Sequence, residues 1–484
     1  MKRRLLALLC CALSINTFAQ QKITVQLAPN LHGPYKGRLI IYMQADTSKP
    51  FGQAAEGPAF AIDVKDWKNE ESRTLDKHSI RLNRSLDSLK GAYKLVAILD
   101  TNMQERGTSA SGNLYTREEI VGHFGPGNTS PVTLTLSNVF PVRKFNESDS
   151  VKEVVFRSKL LSTFRKQAIE IKAGVILPPS YHRAEGRIYP VVYIIPGWGG
   201  THHHAYNKGQ KNSYGIGQGE EKIYVFLNPE TQTPYGLHAF VDSRVNGPWG
   251  TALVKELLPF ISKNFRASKQ ADSTFITGQS SGGYGAIWLA LHFPASFGGC
   301  WATSPDPIDF SNFTGVDIYR DDNYYVSPSG EERGIFFVQG KATSSLRNMA
   351  QKEQLEGDGG QQQSFEAEFG LPSPIGRPIP LFNPQTGIID HRVASSWKPY
   401  DLALYVRQNW QKIRKDAANK IRIYAGENDN FLLQQSVIAF GEKAKKEGAE
   451  IKVELIKGAD HFSTRNTALT KQIQAEMDRV IQKR

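Results

Sequence analysis

The stretch Ser273-Thr-Phe-Ile-Thr-Gly278-Gln279-Ser280-Ser281-Gly282-Gly283 decides the fold. Residues 273–277 form a short β-type run and residues 283–292 have the composition of a helix, so a serine stands on a sharp strand-to-helix turn, a nucleophile elbow. Such a turn presents the hydroxyl above the sheet. Gly278 and Gly282 leave space where a side chain would collide with neighbouring backbone. The five residues alone are a weak pattern, because glycine and serine are common, and the strand before and the helix after carry the weight. Ser280 is the candidate nucleophile, against the plain alternative of a Gly/Ser-rich turn.

A serine hydroxyl does little at neutral pH unless a base takes its proton and a third group holds that base in the right tautomer. With an elbow of this kind the chain order is serine, acid, histidine. Residues 420–425, KIRIYA, read as a strand running into Gly426-Glu427-Asn428-Asp429, and residues 451–456, IKVELI, as the next strand, ending at Gly458-Ala459-Asp460-His461-Phe462. His461 is the candidate general base and Asp429 the candidate acid. Two rivals for the acid stand open: Glu427 in the same turn, and Asp306 after the apolar run 299–303. Asp460 adjoins the histidine and is expected to point away from it.

A tetrahedral intermediate carries an oxyanion and needs backbone donors aimed at it. Residues 191–195, VVYII, are continuously apolar, as in a strand buried on both faces of a parallel sheet, and end in Pro196-Gly197-Trp198-Gly199-Gly200. The amides of Trp198 and Ser281 are the candidate oxyanion hole.

These motifs, PGWGG at 196–200, DSRVNGPWGTALVKELLPFI at 242–261, GQSSGGYGA, GENDN and GADHF, resemble the esterase D and enterochelin-esterase group of α/β-hydrolases, which includes feruloyl and acetyl xylan esterases. The resemblance covers about the last two-thirds of the chain and is specific for the fold rather than a substrate. Pro196 departs from it, standing where many relatives carry a histidine. The resemblance implies hydrolysis of carboxylic esters, first acetyl or feruloyl esters on polysaccharides and next siderophore triesters. From another class, a non-catalytic glycan-binding protein would keep the fold, but has no need of Ser280, Asp429 and His461 together.

At 484 residues the chain exceeds what one core usually supports. Residues 22–145 hold short alternating runs separated by turns, with no helical period, which predicts an all-β, sandwich-like domain over 20–145. From 146 to 484 strands and helices alternate, which predicts the α/β-hydrolase domain with a mostly parallel sheet. Residues 249–265 read as one helix kinked at Pro259. The excursion 307–419, rich in Gly, Pro and Gln around 357–384, is expected to be a lid or pocket wall, with Trp397, Tyr400 and Trp410 as core.

Residues 1–19 read as a secretion signal: Lys2-Arg3-Arg4, an apolar stretch over 5–15 too short to span a bilayer, and a small residue, Ala19, at the cleavage point. Export to the periplasm or outside is expected; lipid attachment at Cys10 or Cys11 is the alternative, but neither follows a small residue. Cleavage leaves Cys300 as the one thiol, read as a buried packing residue. The formal net charge is +12, of which Lys2, Arg3 and Arg4 supply three. Because the bases are dispersed among acids, no nucleic-acid partner is expected. No cofactor fingerprint is present, and the adjacent His202, His203 and His204 are read as a cleft-rim loop rather than a metal site.

Overall fold

The alternating runs near the amino terminus form nine strands: β1 (Ile23–Leu27), β2 (Tyr35–Gln44), β3 (Ala59–Trp67), β4 (Ser72–Leu75), β5 (Ile80–Leu82), β6 (Gly91–Asp100), β7 (Leu114–Thr116), β8 (Ile120–Phe124) and β9 (Val132–Val139). They pair in the order β4-β1-β9-β7-β6-β2-β3-β5, with β8 beside β6, and only the β1–β9 ladder is parallel. Along β6, Tyr93, Leu95, Ala97 and Leu99 are buried while Ala92, Lys94, Val96 and Ile98 are partly exposed, so a period of two puts one face inward. That face joins residues of β1–β4 and β7–β9 in one apolar core, and the strands pair into one sheet rather than the two facing sheets of the expected sandwich.

The computed structural model describes residues 21–52, 57–102, 104–126, 131–357 and 359–483. The expected signal segment, with Cys10 and Cys11, lies outside them. Two units separate by their contacts: the β unit, up to Thr101 with Asn113–Val139, and a second unit of Asn102–Gly112 with Phe140–Arg484. The short segment Asn102–Gly112 belongs to the second unit because its bonds lie there: Gly112 N donates to Phe140 O (2.9 Å), Arg143 N to Ser111 Oγ (3.3 Å) and Arg106 to Gly200 O (3.3 Å).

The second unit holds β10 (Val151–Ser158), β11 (Ile169–Ile176), β12 (Val191–Ile195), β13 (Ile223–Leu227), the ribbon β14 (Asp242–Ser243) with β15 (Gly247–Pro248), β16 (Thr274–Ser280), β17 (Gly299–Pro305), the hairpin β18 (Gly334–Val338) with β19 (Lys341–Ser345), β20 (Ile421–Gly426) and β21 (Lys452–Ile456). Eight of these build one sheet, in the order β10-β11-β13-β12-β16-β17-β20-β21, parallel from β13 to β21 and antiparallel at the β10–β11 edge. Val191, Tyr193 and Ile195 of β12 enter one core cluster and Val192 and Ile194 the other. Both faces of the strand are dry, which is why it shows no alternation. The chain leaves β12 to pair β13 on one side and later places β16 on the other, so the strand order reverses between β12 and β16. Ligands bind beyond the carboxyl ends of strands at such a switch point.

The single kinked helix expected over 249–265 is broken differently: helical residues Trp249–Ala252 lead into a π turn, Leu253–Leu257, and then a helix, Leu258–Asn264. Pro259 has no N–H to give the preceding turn, and the wider turn accommodates the missing bond. The excursion 307–419 folds as the β18–β19 hairpin and the helices Leu346–Glu356, Gln361–Phe369, His391–Ser396 and Leu402–Ala417. Its Trp397, Tyr400 and Trp410 are buried in the main core. Among the described residues no helix is long and apolar enough to cross a membrane.

Cys300 in β17 is fully buried and its thiol is pushed far above the ordinary range by desolvation. Iodoacetamide followed by peptide mass mapping should leave Cys300 unmodified in the folded protein and alkylate it only in guanidinium chloride; native alkylation at a rate near that of a free thiol would contradict this packing.

Candidate active site

Strand β16 passes directly into the helix Ser281–His292 through Ser280, whose backbone sits at φ 57°, ψ −127°. That conformation costs a non-glycine residue on the order of 1–3 kcal/mol and persists only where surroundings enforce it. Here they do. A Cβ on Gly278 would lie 2.1 Å from Gly282 O, and one on Gly282 would lie 1.9 Å from Ile195 O, so the turn closes only with glycine at both places. Asp306 N also ties the elbow to the end of β17, donating to Ser280 O (3.1 Å). Residues 281–291 of the helix are all buried, leaving it no face on which to shift.

His461 stands on the turn after β21, and its Nδ1 bonds Asp429 Oδ2 at 2.9 Å with both side chains buried. A carboxylate acceptor at Nδ1 places that proton there and leaves Nε2 as the basic nitrogen. The pair is fixed from several sides: Phe431 N donates to Asp429 Oδ1 (3.0 Å), His461 N to Asn430 Oδ1 (3.1 Å) and Gln279 Nε2 to His461 O (2.9 Å). Phe431 and Phe462 flank the imidazole edge-on, with centroids 4.9 and 5.2 Å away. The rivals sit elsewhere. Glu427 accepts from Gly458 N (2.9 Å), and Asp460 accepts from Phe462 N (3.1 Å) and Ser463 N (2.8 Å), turned to its own loop. Asp306 lies against the serine instead: Ser280 Oγ donates to its Oδ1 at 3.1 Å rather than to His461.

The turn Pro196–Gly200 leaves β12 and presses on the elbow, for a Cβ on Gly197 would lie 2.9 Å from Gln279 O and 3.2 Å from Ser280 Cβ. The Ser281 amide opens the helix, where the first N–H groups have no acceptor within the helix itself. The Trp198 ring is half-exposed, with the Arg106 guanidinium 4.7 Å above it. Nothing in the sequence pointed to Arg106. In sequence it falls between β6 and β7, and only tertiary folding carries it here.

Ser280, His461, Asp306 and Trp198 line one cavity of about 760 Å³, whose remaining wall includes Tyr324, Met349, Gln361 and Phe365 of the excursion. The excursion is pinned to the site: Phe337 N donates to Asn430 O (2.8 Å) and Asn430 Nδ2 to Phe337 O (2.7 Å), while Gln361 Nε2 donates to Ser281 Oγ and Asp306 Oδ2, both at 3.0 Å. Of the histidine run, His204 lines the cavity, His202 bonds Glu153 (3.0 Å) and His203 bonds the Tyr206 hydroxyl (2.7 Å). Burial lowers His202 to about 3 and His203 to about 4, so both are neutral at pH 7. Among the described residues no group of three His, Cys, Asp or Glu is placed to hold a metal ion.

A family model described as "Putative esterase" matches residues 168–471, the greater part of the chain and all the site residues except Arg106. Two curated relatives named as esterases, from strains H37Rv and CDC 1551 of Mycobacterium tuberculosis, are 34% identical to it over 142 residues; the match covers 28% of this chain, and the chain spans 29% of each relative's length. Among solved structures, a ferulic acid esterase aligns with TM-score 0.43 and 17% identity over 69% of this chain and 99% of its own. An S-formylglutathione hydrolase from Agrobacterium tumefaciens aligns with TM-score 0.42 and 16% identity over 69% of this chain and 98% of its own.

Two buried carboxyls, Glu353 in the cavity wall and Glu366 on the helix Gln361–Phe369, make stability depend on pH. Desolvation raises Glu353 to about 8 and Glu366 to about 7, although backbone amides of Gln362 and Gln363 at the one and of Leu381 at the other pull down. Their unfolded values lie near 4.3, so the folded state keeps protons that the unfolded state has released. Their contribution to stability is therefore full below about pH 4 and is lost as pH rises through 7 to 8. Thermal unfolding should show Glu353→Gln gaining on the parent between about pH 5.5 and pH 8.5; a gap constant with pH would show that Glu353 is ionised throughout.

Proposed function

The chain belongs to the "Putative esterase" family, and from that premise we propose that it is a serine carboxylesterase in which Ser280, His461 and Asp429 form the acyl-transfer machinery. The observation that carries the reading is the buried Asp429–His461 hydrogen bond at 2.9 Å, in a cavity shared with a serine held in an elbow. In the first half-reaction His461 Nε2 takes the Ser280 proton as Oγ bonds the ester carbonyl carbon, and the carbonyl electron pair becomes an oxyanion. The amides of Trp198 and Ser281 receive it. Collapse expels the alcohol, which leaves with the proton from His461; water then repeats the sequence on the acyl-enzyme and frees the acid. Base catalysis of this kind is worth about 10²–10⁴ in rate, and one oxyanion donor about 10²–10³.

The cavity of about 760 Å³ is large enough for a drug-sized ester group. Acetyl or feruloyl esters on polysaccharides are the first substrates proposed and siderophore triesters the second, both resting on the family resemblance. Export is proposed with them, from the basic and apolar pattern of residues 1–19. A second reading, a glycan-binding protein without turnover, draws on the resting contact of Ser280 with Asp306 in place of His461.

Hydrolysis of p-nitrophenyl acetate by the purified chain tests this. Ser280→Ala and His461→Ala should each lower kcat by about 10³ or more, and Asp429→Asn by about 10²–10⁴ through the wrong imidazole tautomer. Activity retained in Ser280→Ala would remove the nucleophile assignment, and inertness of the parent towards acetyl, feruloyl and siderophore esters alike would favour the binding reading.

A further inference from the structure

Asp306 has no part in the proton relay described above, yet it touches the nucleophile. Its place is set by the sheet, through its amide bond to Ser280 O and a shift of register between Gln279 and Ser280 in the β16–β17 ladder. The carboxylate is buried and accepts from three neutral donors: Ser280 Oγ at Oδ1 (3.1 Å), and Ser281 Oγ (2.6 Å) and Gln361 Nε2 (3.0 Å) at Oδ2. Three titratable groups act on it through space. His461 attracts its charge, Asp429 repels it, and Glu368, on the same helix as Gln361, is coupled to it. Burial raises Asp306 to about 6, so it is largely ionised at neutral pH, and burial pushes Glu368 well above the usual carboxylate range.

A hydroxyl has one hydrogen to give. While Ser280 donates to Asp306 it does not donate to His461, and a charged acceptor holds a hydroxyl about twice as strongly as a neutral one. We propose that Asp306 is a positioning residue: its carboxylate, fixed by Ser281 and Gln361, holds the Ser280 hydroxyl turned from His461, so that the nucleophile rests uncoupled from its base. The proposal rests on the reading of Ser280 as nucleophile. It gives the excursion a task besides walling the cavity, because Gln361 is the only residue of that segment bonded to the carboxylate, among the described residues.

The rate at which a fluorophosphonate phosphonylates Ser280 reports the state of this hydroxyl, whatever the natural ester. On the full chain, Asp306→Asn should be labelled roughly three- to ten-fold faster than the parent near pH 8, since a neutral amide oxygen is the weaker acceptor. As pH falls through about 6 the parent's Asp306 takes up a proton and its charged hold is lost, so the two rates should converge. A merely structural role would leave their ratio independent of pH. Gln361→Leu removes a donor to the ionised form and raises the Asp306 pKa, so convergence measured against that background should move to higher pH. If the parent is not labelled, or Ser280→Ala is labelled equally, the nucleophile reading itself fails. If labelling needs Ser280 but Asp306→Asn is no faster, this proposal alone is overturned; a slower variant would mean that the carboxylate serves the imidazolium of His461 instead.

Discussion

The site depends on one steric constraint, the closeness of three backbone segments at the switch between β12 and β16. The Gly282 backbone lies so near Ile195 O that a single added carbon would overlap it, and Gly278 meets Gly282 in the same way. The helix Ser281–His292 is thereby seated on the end of β12 while still joined to β16. Its burial on every side supplies the apolar free energy, about 1.5–3 kcal/mol for each large side chain, against which the strained backbone at Ser280 is small. The same closeness sets the turn bearing Trp198 against the serine. Ser280 and the turn bearing Trp198 are thus positioned by backbone packing, before any side chain chooses a rotamer.

The charges of the site follow a second rule, that a buried ion keeps its charge only where hydrogen bonds or an opposite charge hold it. Asp429 is held by the amide of Phe431 and by the imidazole it orients. Asp306 is raised by burial, which outweighs the downward pull of the Ser281 and Ser280 hydroxyls and of His461. Glu353 and Glu366 each accept backbone amides, yet burial dominates. The carboxyls of Asp306, Glu353 and Glu366 therefore give up their protons at different pH.

The excursion joins these two rules. Asn430, beside the acid, is bonded to the β18–β19 hairpin, and Gln361 is bonded to both Ser281 and Asp306. A segment far from the nucleophile in sequence is thus tied to both ends of the site. Changes in it would be felt as changes in the orientation of the reacting groups as well as in the shape of the cavity.

The sequence by itself determined the local pieces, for reasons that act over a few residues. The unbroken apolar run of β12 marked an inner parallel strand, the alternation near the amino terminus marked half-buried strands, and glycines around Ser280 marked a turn without room for side chains. Chain order then named Ser280, Asp429 and His461, because each stands at the carboxyl end of a legible strand. What the sequence left open was contact between distant residues. It could not divide Asp429 from Glu427 and Asp306, since three carboxylates at strand ends look alike until the packing assigns one to the imidazole, one to a glycine amide and one to the serine. It gave no sign of Arg106, of Gln361 or of the resting partner of Ser280, for those depend on where separate loops meet. It foresaw a break at Pro259 but not the π turn, because the neighbours of the helix decide how a missing hydrogen bond is absorbed.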